Sequence, residues 1–164
     1  TIITAEHDET STNVVTGIAG SKDFLVIAIY KNMMSSERGF VRRILAILED
    51  FDINFEHLPS GIDTVSVVIS RKSVDGRMDE LLEAFEKQLS PDNMEVFEDI
   101  ALIATVGCGM SRRSGVSATL FTALADADIN IRMIDQGSSE MNIIVGVENK
   151  DFEKAIKAIY QAFE

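Results

Sequence analysis

The sequence predicts an α+β fold made of two copies of one unit, each an antiparallel four-stranded sheet with helices on one face. Two observations support this: an internal repeat, and the same order of strand-like and helix-like segments in both copies. Residues 24–30 read FLVIAIY, and residues 100–106, shifted by 76 positions, read IALIATV. Self-similarity at a fixed period is the signature of a repeated structural unit. The same shift relates Gly39 to Gly115, Gly61 to Gly137, and Asp52-Ile53-Asn54 to Asp128-Ile129-Asn130.

Within the first copy, the spacing of the apolar residues changes from element to element. The continuous apolar run predicts a buried strand, and Gly39 ends the polar loop that follows it. Apolar residues at helical spacing predict two amphipathic helices, whereas the alternating, β-branched segment TVSVVIS predicts a strand. The predicted elements are strand 24–30, helix 40–51, strands 53–58 and 64–70, helix 78–89 and strand 94–97, a βαββαβ unit of the ferredoxin-like type.

The second copy lacks a fourth strand after its last helix. Its predicted elements are strand 100–106, helix 115–127, strands 131–136 and 140–147, and helix 151–163. A missing strand would leave an open sheet edge, and the spare strand-like segment 13–18 lies upstream of the first copy. We therefore expect one unit at 24–97, inserted in a second unit made of 12–22 plus 98–164, with 1–11 as a polar linker.

Composition excludes several classes of function. Fifteen lysines and arginines against 27 aspartates and glutamates give a formal net charge of −12, which argues against nucleic-acid and membrane-surface binding. No apolar run approaches the length of a membrane span, and no signal peptide leads the chain. One cysteine and two histidines disfavour a zinc site. A single cysteine fits a reducing, cytoplasmic setting.

Few residues favour an enzyme. His57 and Glu56 are neighbours on a predicted strand, so their side chains point to opposite faces and form no dyad. We expect His57 to be structural or solvent-facing. Cys108, in the turn Gly107-Cys108-Gly109, is expected to be a buried, inert residue. The spacing of these glycines to Gly115 does not match a dinucleotide-binding loop.

A binding function has more support in the residues. Gly39 marks the start of a helix, where free backbone N–H groups attract a carboxylate and glycine allows close approach of a ligand. Glu56, on the next strand, could receive an ammonium group. Together they would suit a zwitterionic amino acid. From spacing alone, a turn glycine and a surface charge explain the same residues equally well.

These residues resemble the ACT domain, a small-molecule regulatory module. The nested pair of units resembles the C-terminal regulatory region of aspartate kinases, over about residues 12–164. The matching stretches are 36–40 (SERGF), 57–66 (HLPSGIDTVS) and 129–143 (INIRMIDQGSSEMNI), of which the last is the most specific. The lysine–phenylalanine–glycine–glycine motif of the kinase domain is absent. The resemblance thus implies a non-catalytic fragment without cofactors, with ATP and Mg²⁺ belonging to a kinase domain elsewhere in the parent protein.

The resemblance also implies an amino-acid effector, in lysine-sensitive relatives L-lysine, bound in the first unit near a homodimer interface. Glu37 and Glu56 depart from the lysine-sensitive pattern, which has serine and aspartate there, but both suit a cationic effector. Arg132, at the position equivalent to Glu56, disfavours lysine in the second unit. Alternatives are a stand-alone amino-acid sensor, an oligomerisation module, or a transferase of the same fold. The implied effector site is Met34, Glu37, Gly39, Phe40, Val41, Asn54, Phe55, Glu56, Ser60 and Gly61, and the implied interface between ACT units is Gln136, Gly137, Ser138, Ser139 and Asn142.

Overall fold

A computed structural model describes residues 13–164 as a six-stranded antiparallel sheet with four α-helices. The predicted linker at 1–11 and His7 lie outside the described residues. The strands follow one another across the sheet in the order β2-β3-β1-β4-β6-β5. The elements are β1 (Gly17–Tyr30), α1 (Phe40–Asp50), β2 (Phe55–His57), β3 (Thr64–Ser70), α2 (Met78–Leu89), β4 (Asn93–Val106), α3 (Val116–Asp126), β5 (Met133–Asp135), β6 (Asn142–Glu148) and α4 (Phe152–Phe163).

The α+β class and the antiparallel pairing are confirmed, and the two predicted sets of four strands lie in one continuous six-stranded sheet. Strands β1 and β4 have 14 residues each and run through both halves of a single sheet. Residues 24–30 of β1 pair with β3, and residues 26–30 also pair with 93–97 of β4. Residues 17–21 of β1 pair with 102–106 of β4. The upstream strand therefore begins at Gly17, not at residue 13. The insertion of one unit in the other stays a prediction.

Two aspartates explain why the long strands looked like separate ones. Asp23 and Asp99 interrupt the apolar pattern of β1 and β4, and both have left-handed backbones, with φ of 68° and 57°. The pairing of β1 with β4 shifts register beside Asp23. Such a bulge bends a strand without ending it. The polar residues that predict strand ends in the sequence thus mark bends within continuous strands.

Each helix pair covers its own half of the sheet. The α1/α2 half has a core formed by Leu25, Ile27 and Ile29 of β1 with helix residues such as Ile44 and Phe85. The α3/α4 half has a second core, formed by strand residues such as Ile103 and Val145 with Leu120 and Ile159. A third apolar cluster contains strand residues only and joins the two halves: Phe24, Val26, Val68, Ile100, Leu102 and Met133.

The helices end within one residue of their predicted positions, but β2 and β5 are shorter than predicted, with three residues each. Both are edge strands, and short edge strands limit unwanted pairing with other chains. Among the described residues, no helix combines the length and the apolar character needed to span a membrane.

The glycine-rich turn at 107–109 accommodates the segment that precedes β1. A Cβ atom on Gly107 would lie 2.1 Å from the carbonyl oxygen of Val14, and one on Gly109 would lie 2.9 Å from that of Asn13. These glycines therefore permit a close backbone crossing. Cys108, between them, is exposed, so the prediction that it is buried is wrong. Met110 is the buried residue of this turn.

The first half of β1 packs against α4. Lys22 Nζ lies 2.6 Å from Glu153 Oε1, and the hydrogen bond from Lys22 lowers the pKa of the Glu153 carboxyl. A carboxyl with a lowered pKa stabilises the fold above its unfolded-state pKa and loses that contribution as the pH falls. Gly20 lies beneath the ring of Phe152.

We expect Gly20→Ala to destabilise the protein by about 1–3 kcal/mol, because overpacking a filled site forces backbone shifts. The added Cβ would lie 2.6 Å from the Leu102 carbonyl oxygen and 2.7 Å from the Phe152 ring. Gly17→Ala in the same strand is the matched control, since a Cβ there has no neighbour within 4 Å. Urea unfolding of both variants checks this. Equal stability of the two would contradict the packing of α4 on β1.

Candidate functional site

The loop that follows β1 is fastened to the turn that precedes β3. The Ser35 N–H donates to the Ile62 carbonyl at 3.2 Å, and the Met33 N–H donates to Asp63 Oδ1 at 2.8 Å. Within the turn, the Gly61 N–H donates to the Thr64 carbonyl at 2.7 Å. These bonds join the loop around Met34 to the turn that contains Ser60 and Gly61. That these residues form one site stays a prediction.

The start of α1 offers backbone rather than side chains. Gly39 has a φ of 77°, and the nearest atom to an added Cβ would be Arg42 Nε at 3.9 Å. Met34 and Phe40 are buried in the core, so only their backbone groups could reach a ligand. Val41, on the first turn of α1, is half-buried. The backbone at Gly39 is thus open to solvent, while the Phe40 N–H donates to the Glu37 carbonyl at 3.3 Å.

The remaining predicted residues lie at the sheet edge, Asn54 just before β2 and the other two on it. Asn54, Phe55 and Glu56 are all exposed. β2 is held by pairing with β3, where Phe55 lies opposite Ile69. No hydrogen bond joins β2 to the start of α1 among residues 13–164. The structure therefore places these three residues on an element separate from the loop and turn described above.

The two predicted acids differ in their partners. Glu37 forms an ion pair with Arg43 of α1, so its negative charge is largely balanced. Glu56 has no hydrogen bond or ion pair with any residue that the structure describes. Of the two, Glu56 is thus the carboxylate available to a cationic group.

A cleft of about 390 Å³ lies at the equivalent position of the α3/α4 half. The start of α3 forms one side, where Gly115 has a φ of 90°. Arg113, Gln136, Gly137 and Glu140 also line it. Sequence reasoning assigned Gln136 and Gly137 to an interface and missed this cleft. The shift of 76 positions, which maps Gly39 to Gly115 and Gly61 to Gly137, was the signal that could have found it.

The other residues of the predicted interface lie near this cleft. Ser138 and Ser139 are exposed in the turn between β5 and β6, and Asn142 begins β6 opposite Val106. Their role between ACT units stays a prediction. Arg132, at the position equivalent to Glu56, lies 3.4 Å from Glu148 and stacks on Phe97 at 5.1 Å.

His57 has a partner that its sequence neighbours did not reveal. Its Nδ1 lies 2.8 Å from Oδ2 of Asp135. Asp135 is on β5, the strand at the opposite edge of the sheet. The described residues contain no cluster of three or more His, Cys, Asp or Glu side chains that could hold a metal ion. The expectation that His57 is structural agrees with this contact.

Comparisons with known proteins agree with the fold. Residues 103–163 match the family model described as ACT domain. Aspartokinase 3 of Bacillus subtilis is 38% identical over 164 residues, covering 99% of this chain and 36% of the relative. The crystal structure of Clostridium acetobutylicum aspartate kinase, described as an allosteric enzyme, has 52% identity and a TM-score of 0.90, covering 96% of this chain and 37% of that one.

A third relative has nearly the length of this chain. The regulatory subunit of aspartate kinase from Thermus flavus has 25% identity and a TM-score of 0.76, with 92% of this chain and 99% of that subunit covered. By contrast, the chain spans only about a third of the B. subtilis and C. acetobutylicum proteins. The similarity is therefore to the regulatory part of these relatives.

Proposed function

Because this chain is a regulatory ACT region of the aspartate kinase type, we propose that it binds an amino acid and thereby inhibits an attached aspartate kinase. The proposed effector is L-lysine, in feedback inhibition of the first step of aspartate-family amino-acid biosynthesis. The observation that carries this proposal is the unpaired, exposed carboxylate of Glu56 in the half of the molecule where Gly39 opens the start of α1.

The two ends of an amino acid match these two features. The Phe40 N–H donates to the Glu37 carbonyl, so the N–H groups of Val41 and Arg42 would attract the effector carboxylate, a contact worth roughly 0.3–2 kcal/mol. Glu56 would accept a hydrogen bond from an ammonium group. A charge-assisted bond of this kind is stronger than one between neutral partners.

Charge favours a cationic effector over a neutral one. Arg43 balances Glu37, but the chain as a whole carries a formal charge of −12, which attracts cations. In the α3/α4 half, Arg132 occupies the position equivalent to Glu56, and we expect no lysine there. The proposed site is therefore in the α1/α2 half alone.

Inhibition requires that the effector favour one arrangement of the regulatory region over another. Coupling of this kind is typically worth about 1–3 kcal/mol. We propose a cytoplasmic homodimer joined through ACT units as the assembly that carries the coupling, with ATP and Mg²⁺ bound by the kinase domain. A stand-alone sensor or an oligomerisation module is the alternative, and it predicts no effect of lysine on a kinase.

Thermal unfolding of the 164-residue chain tests amino-acid binding. A ligand at 100 times its dissociation constant raises the free energy of unfolding by about 2.7 kcal/mol. For a protein of this size, each kcal/mol raises the Tm by about 2–4 °C. We expect this rise with L-lysine and none with D-lysine, L-threonine or L-methionine. A rise in Tm with threonine or methionine instead would identify that amino acid as the effector. No rise with any amino acid would favour the oligomerisation module.

We expect Gly39→Ala and Gly76→Ala to cost similar stability but to differ in lysine binding. Both glycines have left-handed backbones, with φ of 77° and 73°, and alanine there is strained by roughly 1–2 kcal/mol. Gly76 lies outside the proposed site. Calorimetric titration with L-lysine should therefore show weaker binding for the Gly39 variant only. Equal affinities would remove the start of α1 from the site.

A further inference from the structure

We propose that the contact between His57 and Asp135 is the link that transmits a change at β2 to β5, and so from the α1/α2 half to the α3/α4 half. The inference rests on the proposed function only in taking β2 as the effector strand. The contact itself is independent of any ligand.

The geometry of this contact is unusual for a sheet of this order. β2 and β5 form opposite edges, with four strands between them, and 78 positions separate the two residues in the chain. Yet Nδ1 and Oδ2 lie 2.8 Å apart, and the His57 side chain is only 19% exposed. An ionised carboxylate only accepts hydrogen bonds, so Nδ1–H of His57 is the donor.

Each partner lies next to a residue of functional interest. His57 follows Glu56, the proposed acceptor of an ammonium group, and Asp135 precedes Gln136, which lines the cleft of the α3/α4 half. A backbone movement at Glu56 therefore reaches that cleft through one hydrogen bond. No other hydrogen bond or ion pair joins β2 to β5 among the described residues.

The rest of the boundary between the halves is more firmly fixed. β1 and β4 run through both halves, and the apolar strand cluster lies between them. At the bend, Asn149 Nδ2 donates to Asp23 Oδ1 at 2.9 Å, and Arg71 lies 3.7 Å from Asp99. By contrast, β2 and β5 are three-residue edge strands, and sparsely bonded edges open at low free-energy cost. The link is therefore placed where movement is easiest.

Amide hydrogen exchange of the ligand-free chain tests the link. We expect His57→Ala to speed exchange in β5, and Asp135→Ala to speed exchange in β2, each by about tenfold. Asp135→Asn keeps an acceptor oxygen and should have a smaller effect. The exchanged pair, His57→Asp with Asp135→His, should slow exchange towards the original rates. If each single variant affects only its own strand, or if the exchanged pair restores nothing, the proposal is overturned.

Addition of L-lysine separates this inference from the proposed function. In the unaltered chain, lysine should change exchange in both β2 and β5, whereas in Asp135→Ala it should change exchange in β2 alone. A lysine response of β5 that persists in Asp135→Ala overturns the link. If lysine changes exchange nowhere, the proposed function fails, and the ligand-free comparison alone decides the link.

Discussion

Phe85→Ala is expected to lower the free energy of unfolding by about 3–5 kcal/mol. The Phe85 side chain is fully buried between α2 and the sheet, so its removal costs both the transfer of the ring and the cavity left behind. Domains of this kind have a total stability of about 5–15 kcal/mol. A single substitution in the α1/α2 half would thus remove a large share of it.

Phe55→Ala is the matched control for this change, because Phe55 is 45% exposed at the sheet edge. We expect it to cost well under half as much. Urea unfolding followed by circular dichroism compares the free energies of unfolding of the two variants. The comparison requires that both variants have the same dependence of that free energy on urea concentration. Similar losses for both phenylalanines would contradict the assignment of Phe85 to the core.

Glu56→Ala is expected to weaken binding of L-lysine by about 10- to 100-fold while leaving the free energy of unfolding unchanged. The loss follows because hydrogen bonds to charged groups contribute about 1.5–3 kcal/mol. Stability should not change, since Glu56 is exposed and has no partner among the described residues. Calorimetric titration and thermal unfolding of the same sample measure both quantities.

Glu86→Ala provides the control for a general loss of negative charge, since Glu86 is an exposed acid on α2 without a side-chain partner among the described residues. Its effect on lysine affinity should be small, because exposed charges at a distance are screened by salt. Unchanged affinity in Glu56→Ala would remove Glu56 from the site. Equal weakening by both substitutions would indicate attraction by net charge alone.

The helices were predictable because their signal is local. In α2, Leu81, Phe85 and Leu89 recur at helical spacing, and all three are buried. The predicted helix at 78–89 has the bounds that the structure gives. β3, with its alternating β-branched residues, was predicted with equal accuracy. For these elements, a short window of sequence contains the periodicity that decides the structure.

The sheet was harder to predict because its organisation depends on contacts between distant segments. A polar residue such as Asp23 predicts a strand end, but a left-handed bulge continues the strand. The contact of His57 with Asp135 joins residues with no sequence relation, and the backbone of residues 13–15 crosses the turn that contains Cys108. None of these features corresponds to a local pattern in the amino-acid sequence.

The arrangement of the candidate residues was predicted in part, and their role as a site stays a prediction. Sequence reasoning selected the loop around Met34, the turn at Ser60 and Gly61, and the strand with Glu56, and the structure joins the first two by hydrogen bonds. It could not foresee that Arg43 binds Glu37 while Glu56 stays unpaired. Side-chain pairing of this kind is a property of the folded surface, and it decides which carboxylate is available.

The most direct test of an amino-acid site in the α1/α2 half is a map of backbone amide chemical shifts of the 164-residue chain during titration with L-lysine. We predict saturable shifts that are largest at Gly39, Phe40 and Val41 and at residues 54–56, the segment that leads into β2. Shifts confined to the cleft around Gly115 and Gln136, or no saturable shifts at all, would contradict the proposed site.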